Sequence, residues 1–180
     1  AGQRLGTCRP ADVQFSDHDG FHVILGGRSN ITGDPDLTDH TFAQSATISG
    51  GQNNVASGSR STVSGGFSNT ATGWGTSVSG GEYNTASGLN ASVSGGRYNE
   101  ASGDYAFVGG GGEGITGIGN TAFAHYSAVL GGYHNIAGDP DLANHTIGEQ
   151  SCVSGGIGNR ANGQFASVSG GSNNTASGES

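Results

Sequence analysis

Two stretches of this chain hold the residues most able to do chemistry, and they are near copies of one another. "NITGDPDLTDHTFAQS" begins at Asn30 and "NIAGDPDLANHTIGEQS" at Asn135, sharing G-D-P-D-L-x-x-H-T. Asp34, Asp36, Asp39 and His40 in the first, and Asp139, Asp141, Asn144 and His145 in the second, offer oxygen and imidazole donors of the kind a calcium or transition ion takes. The same letters also start a helical turn, with Asp as the cap and Pro at the first helical position, and this structural reading needs no cofactor. Near the N-terminus, "FSDHDGFH" adds Asp17, His18, Asp19 and His22 without a metal-site spacing, and reads as a solvated arm.

Catalytic patterns are thin. Gly112-Glu113-Gly114-Ile115-Thr116-Gly117 matches G-x-G-x-x-G, but a dinucleotide site needs a strand before it, a helix after it and an acidic residue about twenty positions on. Glycine-rich repeats stand where that helix would be, so the match is a coincidence of composition. No G-x-S-x-G occurs, and the many serines sit in repeated positions rather than beside a solitary histidine. The sequence therefore predicts a protein that is not an enzyme.

Composition narrows the class further. The chain has 180 residues, 37 of them glycine, with no Met, one Trp and 32% hydrophobic residues, too few large side chains to pack one compact centre. Fourteen acidic residues stand against six arginines with no lysine, which leaves no basic patch for nucleic acid. No apolar run is long enough to span a bilayer. The start at Ala1 without an initiator Met fits a secreted chain after signal removal, and two cysteines fit an oxidising compartment.

Order in such a chain has to come from repetition. The β-branched residues Ile24, Ile48, Val63, Val78, Val93, Val108, Val129, Val153 and Val168 are spaced by 24, 15, 15, 15, 15, 21, 24 and 15 residues. The unit is thus fifteen residues, interrupted by insertions near 33–43, 111–118 and 138–149. Two glycines follow each anchor two residues later, from Gly26-Gly27 to Gly170-Gly171, without exception. Asparagine then recurs at Asn30, Asn54, Asn69, Asn84, Asn99, Asn120, Asn135, Asn159 and Asn174, followed two residues later by Ala in all but the first unit, where Thr32 stands.

Read out, the unit is A/S-x-V-S-G-G-x-x-N-x-A-S-G-x-x, two short period-two segments joined by glycine turns. This predicts an all-β fold: a β-solenoid or β-roll of about nine coils over residues 22–180, stacked about 4.8 Å apart into a rod of roughly 40 Å, preceded by an arm at 1–21. Val and Ala are small because two thin walls meet inside each coil. The Asn column reads as an amide-to-amide ladder along the rod, or as a turn former. Aromatic residues fall at the corners, Phe67, Tyr83, Tyr98 and Tyr133 at one and Trp74, Tyr105, Tyr126 and Phe165 at the other, where exposure on one protomer would make them a contact surface.

The columns S-V-S-G-G-x-x-N-T-A-S-G resemble the YadA-like head repeats of trimeric autotransporter adhesins, over about residues 22 to 180. The resemblance implies a left-handed β-roll in which three chains pack side by side, and a cell-surface or extracellular place. The chain departs from that pattern in doubling the glycine and in lacking the N-S-V-A-I-G motif found in some of these heads.

Cys8 and Cys152 complete the reading. Seven rungs, about 34 Å, separate rung one from Cys152, whereas a disulfide needs Cα atoms within about 7 Å. The sixteen residues between Cys8 and rung one could reach back over up to roughly 55 Å, or the arm of one protomer could lock onto the last rungs of its neighbour. The second arrangement is the expected one, since the repeat is still running at Ser180 and an uncovered coil invites another strand. The sequence thus predicts a secreted structural protein that assembles with itself into a trimer and a filament. An adhesin head binding matrix or carbohydrate is the alternative, and an ice-binding solenoid presenting Thr and Ser at rung spacing is a third.

Overall fold

The computed structural model describes residues 13–15, 22–33, 45–112, 117–142 and 144–178. The chain winds as a β-solenoid whose coils each lay one strand in either of two parallel sheets, and no α-helix occurs among the described residues. The first strands are β1 (Val13–Phe15), β2 (Val23–Ile24), β3 (Asn30–Thr32) and β4 (Thr47–Ile48). From β4 onward each strand has two residues, as in Thr62–Val63 and Thr70–Ala71, because glycine turns follow at once.

One sheet, which we call the Asn wall, has ten strands and runs from β1 through β3 to Thr175–Ala176. The other, the Val wall, has nine and runs from β2 to Ser167–Val168. The insertions do not disturb the register: Ala101 pairs with Ala122 across the six-residue insertion, and Ala137 with Ala161 across a nine-residue one. The extra residues leave at a corner and return to the same rung position, so the walls read through them. Backbone bonds run from rung to rung, as from Ser64 N–H to the Val78 carbonyl at 3.0 Å and from Ser79 N–H to the Val93 carbonyl at 3.0 Å.

The core is a single file. Ile48, Val63, Val78, Val93, Val108, Val129 and Val153 project from the Val wall against Ala56, Ala71, Ala86, Ala101, Ala122, Ala137 and Ala161 from the Asn wall, all at most 1% exposed. Burying each Val is worth about 1.5–3 kcal/mol, and with Ala opposite there is little more to gain in any coil. The rod stands because neighbouring coils stabilise one another.

The arm is not wholly outside the rod. β1 pairs in parallel with β3, Val13 opposite Asn30 and Phe15 opposite Thr32, and so covers the first coil on the Asn wall.

Candidate functional site

The regular device of the fold is the sequence G-G-x-x-N. Each Asn side chain turns inward, and all from Asn30 to Asn159 are at most 1% exposed. The Asn69 amide nitrogen donates to the carbonyl of its own rung's first glycine, Gly65, at 2.9 Å and to that of the next rung's second glycine, Gly81, at 2.8 Å. Its Oδ1 accepts the Asn84 backbone N–H at 3.0 Å. The same set recurs at Asn99 and Asn135, and at Asn120 despite its insertion. The asparagines do stack along the rod, but the bonds run mostly from amide to backbone. Direct amide-to-amide bonds are added at Asn84 to Asn69 and Asn174 to Asn159, both 3.1 Å.

The corners are where side chains meet solvent, and both are strained. Arg60, Asn90, Tyr105, Tyr126, Gln150 and Phe165 at one corner, and Ser68, Tyr83, Tyr98, His134 and Asn173 at the other, all take φ between +52° and +59°. Such a conformation costs about 1–2 kcal/mol for a residue with a Cβ, so coil closure imposes it. The two corners then differ. Tyr83 stacks on Tyr98 at 4.9 Å with Phe67 edge-on to Tyr83, while Arg97 lies over both tyrosines and pairs with Glu82 at 2.9 Å. Phe67 and Tyr98 are consequently half-buried rather than exposed as expected, and so is Tyr133, whose ring lies 5.9 Å from that of His134. At the opposite corner Trp74, Tyr105, Tyr126 and Phe165 are 45–56% exposed. Tyr105 and Tyr126 lie parallel at 5.1 Å, and the Arg60 guanidinium sits over Trp74.

The insertion near 138–149 begins as a turn, a 3-10 segment at Pro140–Leu142 in which the Asp139 carboxylate accepts the Asp141 N–H at 3.2 Å. Its two carboxylates converge on Arg160 in the next coil, Asp141 at 3.0 Å and Asp139 closer still. His145 donates Nδ1–H to the Phe123 carbonyl at 2.5 Å and stacks on the Phe123 ring at 4.1 Å. A cation between Asp139 and Asp141 would have to displace the guanidinium. No group of three or more His, Cys, Asp or Glu able to hold a metal lies among the described residues. Asp34, Asp36, Asp39 and His40 of the first insertion lie outside the described residues, as do Asp17, His18, Asp19 and residues 113–116 of the G-x-G-x-x-G stretch. His22 is described: its Nδ1 is buried without a partner, and burial pushes the imidazole pKa below its ordinary value.

Cys152 is a free, half-exposed thiol on the outer surface of the Val wall, between Ala128 and Ser167. Cys8 lies outside the described residues, but β1 limits its reach. The five residues from Cys8 to Val13 span at most about 18 Å, while Cys152 sits eight rungs, about 38 Å, beyond the level of β1. The sixteen-residue tether that would let an intrachain bond form is therefore cut short by the β1–β3 pairing.

The outer surfaces of the walls also differ. The two outward columns of the Val wall, Val23 to Ser167 and Leu25 to Ser169, contain no charged residue over nine rungs. They carry Thr47, Thr62, Ser77 and Ser92 beside Ser49, Ser64, Ser79 and Ser94, with Leu25 and Leu130 more than half exposed. The Asn wall presents Glu100 and Arg160. Sequence reasoning missed Arg160 and β1. An Arg in a column otherwise mostly Thr, Val and Ile, one rung past a D-P-D loop, was the available signal for the first.

No helix among the described residues is long and apolar enough to cross a membrane. No curated protein matches the chain. Residues 61–73, which run from the inner edge of one Val-wall strand through the glycine pair to the end of the following Asn-wall strand, match the ubiquitous surface protein adhesin repeat. That match covers one coil, which is thus similar to an adhesin repeat.

Proposed function

We propose that the chain is a self-associating extracellular rod of the surface-adhesin kind, acting by contact rather than by catalysis. The observation that carries this reading is the Val wall: a surface nine rungs long, uncharged in both outward columns, on a protein whose net charge is −8. Depletion of charge marks the buried centre of protein interfaces, and small hydroxyl and glycine side chains let two sheets approach closely. In this reading three copies pack through that wall, as the resemblance to trimeric heads implies, and the exposed corner with Trp74, Tyr105, Tyr126 and Phe165 remains free to touch matrix or another cell. The reading extends to end-to-end growth into a filament, with Cys8 of one protomer bonded to Cys152 of the next, and the short reach of the arm supports it.

The test is sedimentation of the purified chain beside the double variant Ser79→Arg, Ser94→Arg. The parent should run as an oligomer and the variant as a monomer with an unchanged β-type circular dichroism spectrum. An oligomer that survives both arginines sinks the assignment of the Val wall. Electron microscopy before and after reduction tests the filament, which should shorten when the disulfide is cut.

A further inference from the structure

We propose that Asn144 is an acceptor for an N-linked sugar, placed for modification on the folded rod. The chain contains four N-x-S/T sequences, at Asn30, Asn90, Asn144 and Asn173, and the fold treats them unequally. Asn30 is 1% exposed, and its amide nitrogen is committed to the Gly26 and Gly51 carbonyls at 2.9 and 3.0 Å. Asn90 is half-buried at a corner with φ of 53°. Asn173 is exposed, but its amide nitrogen donates to Ser172 Oγ at 3.2 Å, and its neighbour Asn174 belongs to the internal ladder.

Asn144 is exposed, and among the described residues its Nδ2 has no hydrogen-bond partner. Its Oδ1 accepts two bonds from the third residue of the motif, the Thr146 N–H at 3.1 Å and the Thr146 hydroxyl at 2.8 Å. Two donors on Oδ1 stabilise the negative charge that gathers there as Nδ2 gives up a proton, the form in which that nitrogen has a lone pair to share. The middle residue fixes the motif to the rod: His145 stacks on Phe123, holds the Phe123 carbonyl through Nδ1, and through its own carbonyl accepts the His125 N–H at 2.8 Å. The motif thus stands out from the rod on a post anchored in the preceding coil. In the first insertion the matching residue is Asp39, so only the second copy has an acceptor.

The co-reactant is a sugar activated on a pyrophosphate leaving group and delivered by a glycosyl transferase. Asn144 Nδ2 attacks the anomeric carbon. The C–N bond forms as the C–O bond breaks, the pyrophosphate leaves with the electron pair, and the amide proton passes to a base of the transferase. The inference rests on the extracellular reading only for where the chain would meet its donor, so the test separates the two.

Purified, folded full-length chain is offered to an oligosaccharyl transferase with its lipid-pyrophosphate sugar donor. Occupancy of all four sites is then read by peptide mass spectrometry. Asn144 should be the most occupied by several-fold and Asn30 should be empty. Asn144→Gln and Thr146→Ala should abolish the main product, while Thr146→Ser should keep it. An unmodified Asn144 in a reaction that modifies a control acceptor peptide overturns the proposal, as does preference for Asn90 or Asn173. Export is scored separately, by fractionating cells that express the chain, so its failure leaves the in vitro result standing.

Discussion

The two glycines of every pair are adjacent in sequence and opposite in circumstance. A Cβ on the second glycine, as at Gly66, Gly81 or Gly132, would fall on the carbonyl oxygen of the next rung's second glycine and crowd the amide of its own rung's Asn. These residues also hold φ of +85° to +91°. A Cβ on the first, as at Gly50, Gly80 or Gly131, would meet nothing within 4 Å. The second glycine is therefore demanded by the stacking of the coils. The first divides again. Gly65, Gly80, Gly95 and Gly170 take φ of +152° to +156°, which side chains disfavour, while Gly26, Gly50, Gly131 and Gly155 lie outside that region, and a Cβ there would meet no atom of the described residues within 4 Å. At those four nothing among the described residues requires glycine, and the proposed packing of copies through the Val wall would supply a reason.

Substitutions can break or sharpen this contrast. Gly81→Ala should be the most damaging, at about 4 kcal/mol or more, because backbone rather than a flexible side chain blocks the new methyl. Chemical denaturation would measure it, and a loss under about 1 kcal/mol would show that the coils can spread. Asn84→Leu should cost about 2–4 kcal/mol, since it strands the Gly80 carbonyl and the Asn99 N–H that Asn84 holds at 2.9 and 3.0 Å, and leaves the Gly96 carbonyl with the Glu82 N–H alone. Gly80→Ala, with open space but an unfavourable φ, should cost about 1–2 kcal/mol in the same assay. Gly131→Ala should be the mildest for the isolated chain, neutral or stabilising by about 0.5 kcal/mol through the unfolded state. Its effect should appear instead as weakened association in sedimentation. If Gly131→Ala costs as much as Gly81→Ala, the distinction between the two positions is wrong.

Much of this was legible because it is local. A fifteen-residue period, an unbroken glycine pair and an unbroken Asn column fix the coil, its register and its thin core, and the fold places all three accordingly. What was not legible depends on offsets between rungs. Spacing places Asn69 above Asn54, but it cannot say that the amide reaches two glycine carbonyls rather than the amide below. Spacing likewise cannot say which glycine of a pair the stacking requires. Nor do propensities predict Tyr105, Tyr126 and Phe165 in left-handed conformations, since glycine or asparagine would be the ordinary choice. Arg160 stood out in its column, but its partners did not, because they lie 21 and 19 residues away on an insertion whose path the repeat does not describe.

The rung-to-rung bonds all lie along the rod, and that decides how the molecule bears load. Tension between its ends does not shear two walls past each other. It pulls on the bonds of one terminal coil at a time, so the coils act as links in series and yield singly. Each coil that lets go pays out fifteen residues, up to about 50 Å of extended chain, in exchange for about 4.8 Å of rod. Adding coils lengthens the tether without raising the force at which it starts to unravel. A rod built this way yields under tension as a shock absorber, lengthening coil by coil.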